Sequence, residues 1–343
     1  MNIKNVNNSL SQNHNHQTKD SNVGVVIIGR NEGKRLIGCL ESLSELIPHV
    51  VYVDSASTDN SLTEAKKRGV HVVSLDMTLP FTAARARNTG FDTISSLYPQ
   101  IEFVQFVDGD CVVNHEWIQT ATNFLINNPH VAVACGRRRE TNPQSSIYNH
   151  MCDLEWNTPL GEAKACGGDA LIRTNVFKSV GGFRNSLIAG EEPELCIRIR
   201  QAGYSVWRID AEMTLHDAAM TKFGQWWKRT MRAGYAFAEG AYLHGNAPEY
   251  HWVAESKRAW VWGLILPIVI ILMLIIKPII GLILLLVYPL QLLRLTVKSK
   301  QKSFDAFIQA IFSILGKFAE AVGQIKFLLN RYFGQQSKII EYK

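Results

Sequence analysis

The chain has 343 residues, 47% of them hydrophobic and 19% charged, with a formal net charge of +6. That length holds one large domain or two modest ones, and the composition is that of a globular protein rather than a fibrous or low-complexity one. The positive charge is local: residues 256–343 carry 12 Lys/Arg against 3 Asp/Glu, which points to an anionic membrane surface and away from a nucleic-acid face on the main domain.

Residues 1–22 are rich in Asn, Ser, Gln and His and nearly free of apolar residues. Such a segment is expected to be disordered, and His14 and His16 read as part of a flexible polar tail rather than as metal ligands. No charged stretch followed by an apolar run opens the chain, so no signal peptide is expected. The six cysteines (Cys39, Cys111, Cys135, Cys152, Cys166 and Cys196) show no CxxC pairing. They read as reduced, mostly buried thiols of a cytosolic domain.

From Val23 the pattern alternates strand and helix. VGVVIIG predicts a strand, and Leu36, Ile37, Leu40, Leu43 and Leu46 recur at helical spacing. HVVYVDS and VHVVSL predict further strands, with a helix before Arg68 that Asp59 can cap. Residues 82–97 read as a helix, and Ile101 to Asp108 as the fourth strand. Near-continuous Val/Ile strands alternating with helices imply a parallel sheet covered on both faces. Each strand is followed by a polar cluster: Arg30-Asn31-Glu32, Asp54-Ser55, and Asp108-Gly109-Asp110. In open α/β sheets ligands bind at that edge, so the three clusters are expected to form one composite site.

The last cluster is the most informative. Side chains at i and i+2 of an extended segment point the same way, so Asp108 and Asp110 can face one ligand, with Gly109 expected to permit a turn. Oxygen ligands of this kind suit Mg²⁺ or Mn²⁺ held together with a substrate's phosphates. A solvated turn is the plain alternative. The chain has neither a Walker loop nor GxGxxG, so neither an ATPase nor a dinucleotide enzyme is indicated. Without a glycine cradle, a diphosphate needs a metal and basic side chains, and Arg85, Arg87 and Asn88 in FTAARARNTGF are placed to supply charge-assisted contacts.

Residues 131–255 are less regular, with strand-like VAVACG and ALIRT, a helix over about Glu191 to Ala202, then YSVWRID. Beyond them, WVWGLILPIVIILMLII (260–276) and PIIGLILLLVYPLQLL (278–293) are apolar and broken by Lys277-Pro278. Each is about 25 Å long as a helix, slightly short for a bilayer core of about 30 Å. Lys257 and Arg258 precede the pair, and Arg294, Lys298, Lys300 and Lys302 follow it. Positive charge on both flanks predicts a hairpin with both ends in the cytoplasm, either spanning or re-entrant. From Phe304 to Leu329 apolar residues recur at helical spacing, opposite Asp305, Gln309, Ser313, Lys317 and Gln324. That is an amphipathic helix suited to the headgroup region, with packing on the main domain as the alternative.

The motifs VGVVIIGRNEG, VVYVDSASTDNS, ARARNTGF, FVDGDC, GGDALIRTNVFKSVGGF and AGEEPELCIRIRQAGYSVWRID occur in that order over roughly residues 23–215. In this the chain resembles a family 2 glycosyltransferase of GT-A fold, of the membrane-anchored bacterial type. The resemblance implies a Rossmann-like, mostly parallel sheet and inverting transfer of a sugar from a nucleotide-diphosphate donor, with Mg²⁺ or Mn²⁺. It implies that Asp54 contacts the base or ribose, that Asp108 serves ribose and metal, and that Asp110 serves the metal. Arg30, Glu32, Arg87 and Asn88 join them as donor-binding candidates. Where the family usually reads Glu-Asp, this chain has Glu191-Glu192, so Glu192 falls in the position of the catalytic base with Glu191 beside it. The plain alternative is an acid-rich first turn of a helix. His216 matches a place where some relatives supply a third metal ligand; a packed structural histidine is the alternative. FGQWWKR at 223–229 is similar to the Gln-x-x-Arg-Trp segment of processive synthases but has Lys228 in place of the arginine, so processivity is not inferred. Trp226 and Trp227 equally suit interfacial anchors.

The expected organisation is therefore a disordered tail (1–22), a GT-A domain (23–255), a transmembrane or re-entrant hairpin (256–296), and an amphipathic helix with its tail (297–343). The expected partners are a nucleotide-sugar donor, a lipid-linked or surface-glycan acceptor, and membrane lipids, with the catalytic domain on the cytoplasmic side of the inner or plasma membrane. Two rivals stand beside this reading. A sugar nucleotidyltransferase would show a Gly-rich, Lys-containing loop after the first strand, and GRNEGKRL is not one. A non-catalytic membrane scaffold would have no need to keep Asp108, Asp110 and Glu192 together.

Overall fold

A computed structural model describes residues 22–299 and 303–334. The polar tail with His14 and His16, the flanking Lys300 and Lys302, and the C-terminal tail from 335 lie outside the described residues.

Nine strands form one sheet: β1 (Val23–Gly29), β2 (Val50–Asp54), β3 (His71–Ser74), β4 (Phe103–Asp108), β5 (Cys111–Val113), β6 (Val131–Glu140), β7 (Gly161–Glu162), β8 (Ala170–Arg173) and β9 (Ser205–His216). Helices of the same domain are α1 (Lys34–Ser42), α2 (Ser61–Lys67), α3 (Ala83–Leu97), α4 (Trp117–Asn127), α5 (Ile147–Glu155), α6 (Thr174–Ser179) and α7 (Glu191–Gln201). The strand order is β3-β2-β1-β4-β8-β6-β9-β5, with β7 on β9.

The expected parallel sheet is present only in part. β3, β2, β1 and β4 are parallel, but β8 enters antiparallel beside β4, and β6, β5 and β7 also make antiparallel pairs. An apolar run reports burial on both faces and carries no information on strand direction, which is why the mixed half was not legible. Val25, Val26, Ile27, Val51, Val53, Val104 and Val107 are fully buried, as two covered faces require. The parallel register sets Gly29 opposite Asp54 and Ile28 opposite Asp108. The polar clusters after β1, β2 and β4 thus share one sheet edge.

The C-terminal part begins with α8 (Phe223–His244) and α9 (Val253–Trp260). A π-helical turn over Val261–Ile265 leads into α10 (Leu266–Ile276); α11 (Pro278–Leu285), α12 (Val287–Lys298) and α13 (Ser303–Tyr332) follow. The helical run Val253–Ile276 has 24 residues and Pro278–Lys298 has 21. At 1.5 Å per residue these are about 36 and 32 Å long, so both exceed the apolar runs seen in the sequence and are long enough to cross a bilayer core of about 30 Å. The turn at Lys277-Pro278 is tight: a Cβ on Gly281 would lie 2.5 Å from the backbone nitrogen of Leu274. Ile275, Ile276, Ile279 and Ile283 are exposed around it.

α13 uses both faces. Ala306, Ala310, Ala319, Ala321 and Gln324 are buried, between α8 on one side and α9 with the π-helical turn on the other, where Gln324 meets Ser256 and Ala321 faces Gly263. A Cβ on Gly234 would lie 2.2 Å from the carbonyl oxygen of Glu320, and one on Gly323 2.0 Å from that of Met231. The two backbones therefore touch. Phe304, Phe307, Leu315, Val322 and Leu329 form an outward apolar stripe. The side expected to face water instead faces protein: Gln324 exchanges hydrogen bonds with Ser256, and Asp305 pairs with His150. Trp226 is buried against Phe312 of α13, so it is an interhelical contact and not a membrane anchor.

Candidate active site

The site is assembled from the loops at the carboxyl edge of β1, β2 and β4 and from the start of α7. Asp54 is buried, accepting a hydrogen bond from the hydroxyl of Tyr52 at 3.0 Å and from the backbone N–H of Ser57 at 2.8 Å. Asn31, at φ 58°, ties the neighbouring loop by accepting from Thr58 N–H at 2.7 Å. Glu32 pairs with Arg35 at 2.8 Å, and its side chain crosses Gly29 and Gly109. Arg30 is exposed at the end of β1. Gly109 is required for a different reason from the one expected. Its φ is not in the left-handed region; a Cβ there would press at 3.2 Å on both Glu32 and the Ile28 carbonyl.

Arg87 is the link between the sheet edge and α7. It is buried, with Nη2 2.7 Å from Asp108 Oδ1 and Nη1 2.6 Å from Glu191 Oε1. The two carboxylates hold its guanidinium firmly charged against the cost of burial. Asn88, by contrast, turns its amide to the loop after α6: it donates to the Phe183 carbonyl and to Asn185 Oδ1, both at 2.7 Å, and accepts from Phe183 N–H. Arg85 donates to the carbonyls of Asp76 and Leu79. Both shape loops around the site.

Two members of the centre were missed in the sequence. Asp169 is fully buried at the start of β8 and accepts from Thr214 at 2.7 Å, from Arg138 and from the Cys111 thiol. Arg138, in β6, lies 2.8 Å from Asp169 and 3.9 Å from Asp108. Their signals, the Asp of GGDAL and one Arg of GRRRE, acquire meaning only once β6 pairs with β8. Arg87 and Arg138 flank Asp108, and burial pushes the Asp108 carboxyl up while the two guanidiniums pull it down further, leaving it below the usual carboxylate range.

Asp110 and His216 meet at the end of β4 and β9, with His216 Nε2 3.2 Å from Asp110 Oδ1. Two cis ligands about 2.1 Å from one octahedral ion are about 3.0 Å apart, so the pair fits a divalent cation. Nδ1 of His216 is buried with no hydrogen-bond partner among the described residues. Arg87 and Arg138 lie among Asp108, Asp169 and Glu191, and Asp110 adds a further carboxylate beside His216, a donor set suited to a divalent cation. Cys111 lies within the same cluster, but burial raises its pKa and it donates to Asp169, so it enters as a neutral thiol.

Glu191 and Glu192 open α7 after Gly190, whose φ of 79° and whose contact with Trp252 both exclude a side chain. Glu191 goes to Arg87. Glu192 Oε1 accepts from the backbone N–H of Cys166 and from the Cys196 thiol at 3.1 Å. Burial raises the Glu192 pKa above the ordinary range.

Residues 24–188 match Glycosyl transferase family 2. The chain is 26% identical over 225 residues to glycosyltransferase AglE of Haloferax volcanii, covering 62% of this chain and 71% of that protein. It is 22% identical over 170 residues to the O-antigen chain rhamnosyltransferase WbaN of Salmonella anatum, covering 46% of this chain and 52% of that one. In structure it is similar to the mannosyltransferase PcManGT from Pyrobaculum calidifontis, solved with GDP-Man and Mn²⁺, with a TM-score of 0.57 at 16% identity over 90% of this chain and 88% of that one. Against S. aureus TarS the TM-score is 0.46, at 17% identity over 66% of this chain and 46% of that one.

Proposed function

We propose that this chain, which matches Glycosyl transferase family 2 over residues 24–188 and has a GT-A-like fold, is an inverting, metal-dependent glycosyltransferase moving a sugar from a nucleotide-diphosphate donor to a lipid-linked or growing surface-glycan acceptor. The observation that carries the metal-dependent donor site is the meeting of Asp110 and His216 beside the pair Arg87–Asp108. Mg²⁺ or Mn²⁺ held by Asp110 and His216, with Asp108 adjacent, would neutralise charge on the departing diphosphate. Arg87 and Arg138 offer guanidinium donors to the same phosphates. Asp54, pre-set by Tyr52 and Ser57, is placed for the ribose or base. Inversion requires a carboxylate that takes the acceptor hydroxyl's proton as it attacks opposite the leaving group. Glu192 suits this because it lacks a guanidinium partner and its pKa is raised, whereas Glu191 is held by Arg87.

The acceptor class is supported by the long apolar helices and by the name of the O-antigen relative. We place the catalytic domain on the cytoplasmic side, where Lys257, Arg258, Arg294 and Lys298 flank the hairpin. Turnover or hydrolysis of a panel of nucleotide-sugars by the detergent-solubilised protein, with and without Mn²⁺, tests this directly. Hydrolysis or transfer that needs the metal supports the reading; a nucleotidyl product instead of a glycosyl product would refute it.

A further inference from the structure

In the site described above Cys166 and Cys196 serve only as hydrogen-bond donors to Glu192, yet their sulfurs lie 3.7 Å apart. Cys196 Sγ is also 3.1 Å from Glu192 Oε1, and ligand atoms of all three residues lie within 4.8 Å of one another. The geometry has a simple origin. Glu192 and Cys196 are four residues apart on α7 and so share a face. Cys166 is brought to them by the loop between β7 and β8, where Gly167 at φ +81° makes the turn and Glu192 anchors the Cys166 N–H. Two thiolates each about 2.3 Å from one tetrahedral zinc sit about 3.8 Å apart, close to the observed spacing.

We propose that Cys166, Cys196 and Glu192 form a binding site for a soft divalent cation such as Zn²⁺, and that filling it withdraws Glu192 from proton transfer. On binding, each thiol gives up its proton, so that two thiolates and one carboxylate surround the ion, with a fourth position open to water. The donor chemistry separates this site from Asp110 and His216. Carboxylate and imidazole accept Mg²⁺ or Mn²⁺, whereas a thiolate pair selects Zn²⁺ or Cd²⁺. Cys196 is itself fully buried. Cys166 and Glu192 keep 8% and 9% of their surface exposed, and Gly168, two residues on, borders Asp108 with an ideal Cβ 3.2 Å from its Oδ2. The inhibitory consequence rests on the reading of Glu192 as the base; cation binding does not.

The test is a Cd²⁺ titration of the full-length, metal-stripped protein in detergent, with excess Mg²⁺ to occupy the hard site. One equivalent should bind with an ultraviolet thiolate-to-metal charge-transfer band of two-thiolate amplitude, and Zn²⁺ should displace it. Cys166→Ala and Cys196→Ala should each lose at least half of that band and weaken Zn²⁺ binding by about tenfold or more, while Cys111→Ala keeps it. The absence of a two-thiolate band in the wild-type protein would overturn the site, whatever the variants do; so would a band undiminished in both variants. Zn²⁺ at one equivalent should lower wild-type turnover at least about tenfold, within the range expected for loss of a general base. Two-thiolate binding with unchanged turnover would leave the cation site standing and remove both its inhibitory role and the assignment of Glu192 as base.

Discussion

Glu191 and Glu192 are chain neighbours with opposite partners: the first is paired with the buried Arg87 at 2.6 Å, and the second rests on a backbone N–H and a thiol. Adjacent acids at a helix start diverge by about 100° around its axis, so one turns to the guanidinium and the other to the loop of Cys166. This divides their expected roles. Glu192→Gln should lower turnover by about 10²–10⁴-fold, the usual cost of a lost general base, with the donor Kd nearly unchanged. Glu191→Gln should chiefly weaken donor binding, because it frees Arg87. Single-turnover rates and donor titrations on both variants check this; a reversed order of severity would move the base to Glu191. The pH dependence has a definite sign. A raised carboxylate pKa means that the active, ionised form is lost on acidification at a higher pH than usual. The acid limb of the turnover profile should therefore lie above the ordinary glutamate value of about 4.3 and disappear in Glu192→Gln.

The second prediction concerns the metal pair. Asp110→Ala and His216→Ala should each abolish the stimulation of nucleotide binding by Mn²⁺ while leaving metal-free binding in place, since Asp54 and the arginines remain. Calorimetric titration with the nucleoside diphosphate, with and without Mn²⁺, reads this out. Full activity of the wild-type protein in excess EDTA would contradict it.

Much of this centre could be read in the sequence because its parts end predictable strands. Asp54, Asp108 and Asp110 follow largely apolar strands (VVYV and FVQFV), and the parallel register of β1, β2 and β4 brings the first two to one edge. Arg138 and Asp169 could not be read in the same way. They are 31 positions apart in sequence, and an antiparallel contact between β6 and β8 brings them together. α13 shows a different limit. Its apolar stripe was evident at helical spacing, but the surface that packs on α8 and α9 is rich in Ala, Gly and Gln, residues that hydropathy does not mark as core. Their role follows from the closeness of two backbones, which only the partner helix reveals.

That packing yields a third prediction. Gly234→Leu places a side chain where the Glu320 carbonyl stands, and overpacking of this kind costs about 1–3 kcal/mol. Its Tm in detergent should fall by several degrees, with nucleoside-diphosphate binding kept at low temperature. A fragment ending at Glu255 should fare worse, because it bares the buried Met231, Tyr235 and Ala236 of α8. It is expected to aggregate unless detergent covers that face, and sedimentation of the two proteins side by side decides the point.

A fourth prediction rests on Glu239 of α8, whose Oε2 is buried without a hydrogen-bond partner among the described residues. Burial raises its pKa to about 7, with Arg184 opposing the shift. For an acid raised in the folded state, the contribution to stability is full below the unfolded value of about 4.3 and is lost as pH rises through about 7. Glu239→Gln should therefore stabilise the protein at pH 8 by about 1–3 kcal/mol relative to wild type and flatten the decline between those two values. Equal pH slopes in denaturant melts of the two proteins would count against it.

The backbone contact between α8 and α13 also governs reach. Gly234 and Gly323 close the gap along which a linker would otherwise swing, and Ser256 is bolted to Gln324 at 2.7 Å. The transferase domain is thus mounted on its hydrophobic helices like a tool in a fixed holder. On the proposed membrane-anchored reading, the depth those helices adopt sets the height and tilt of the catalytic edge, and the proposed acceptor must present its reacting end at that height. Chain ends standing much nearer to the anchor, or much farther from it, would pass unmodified.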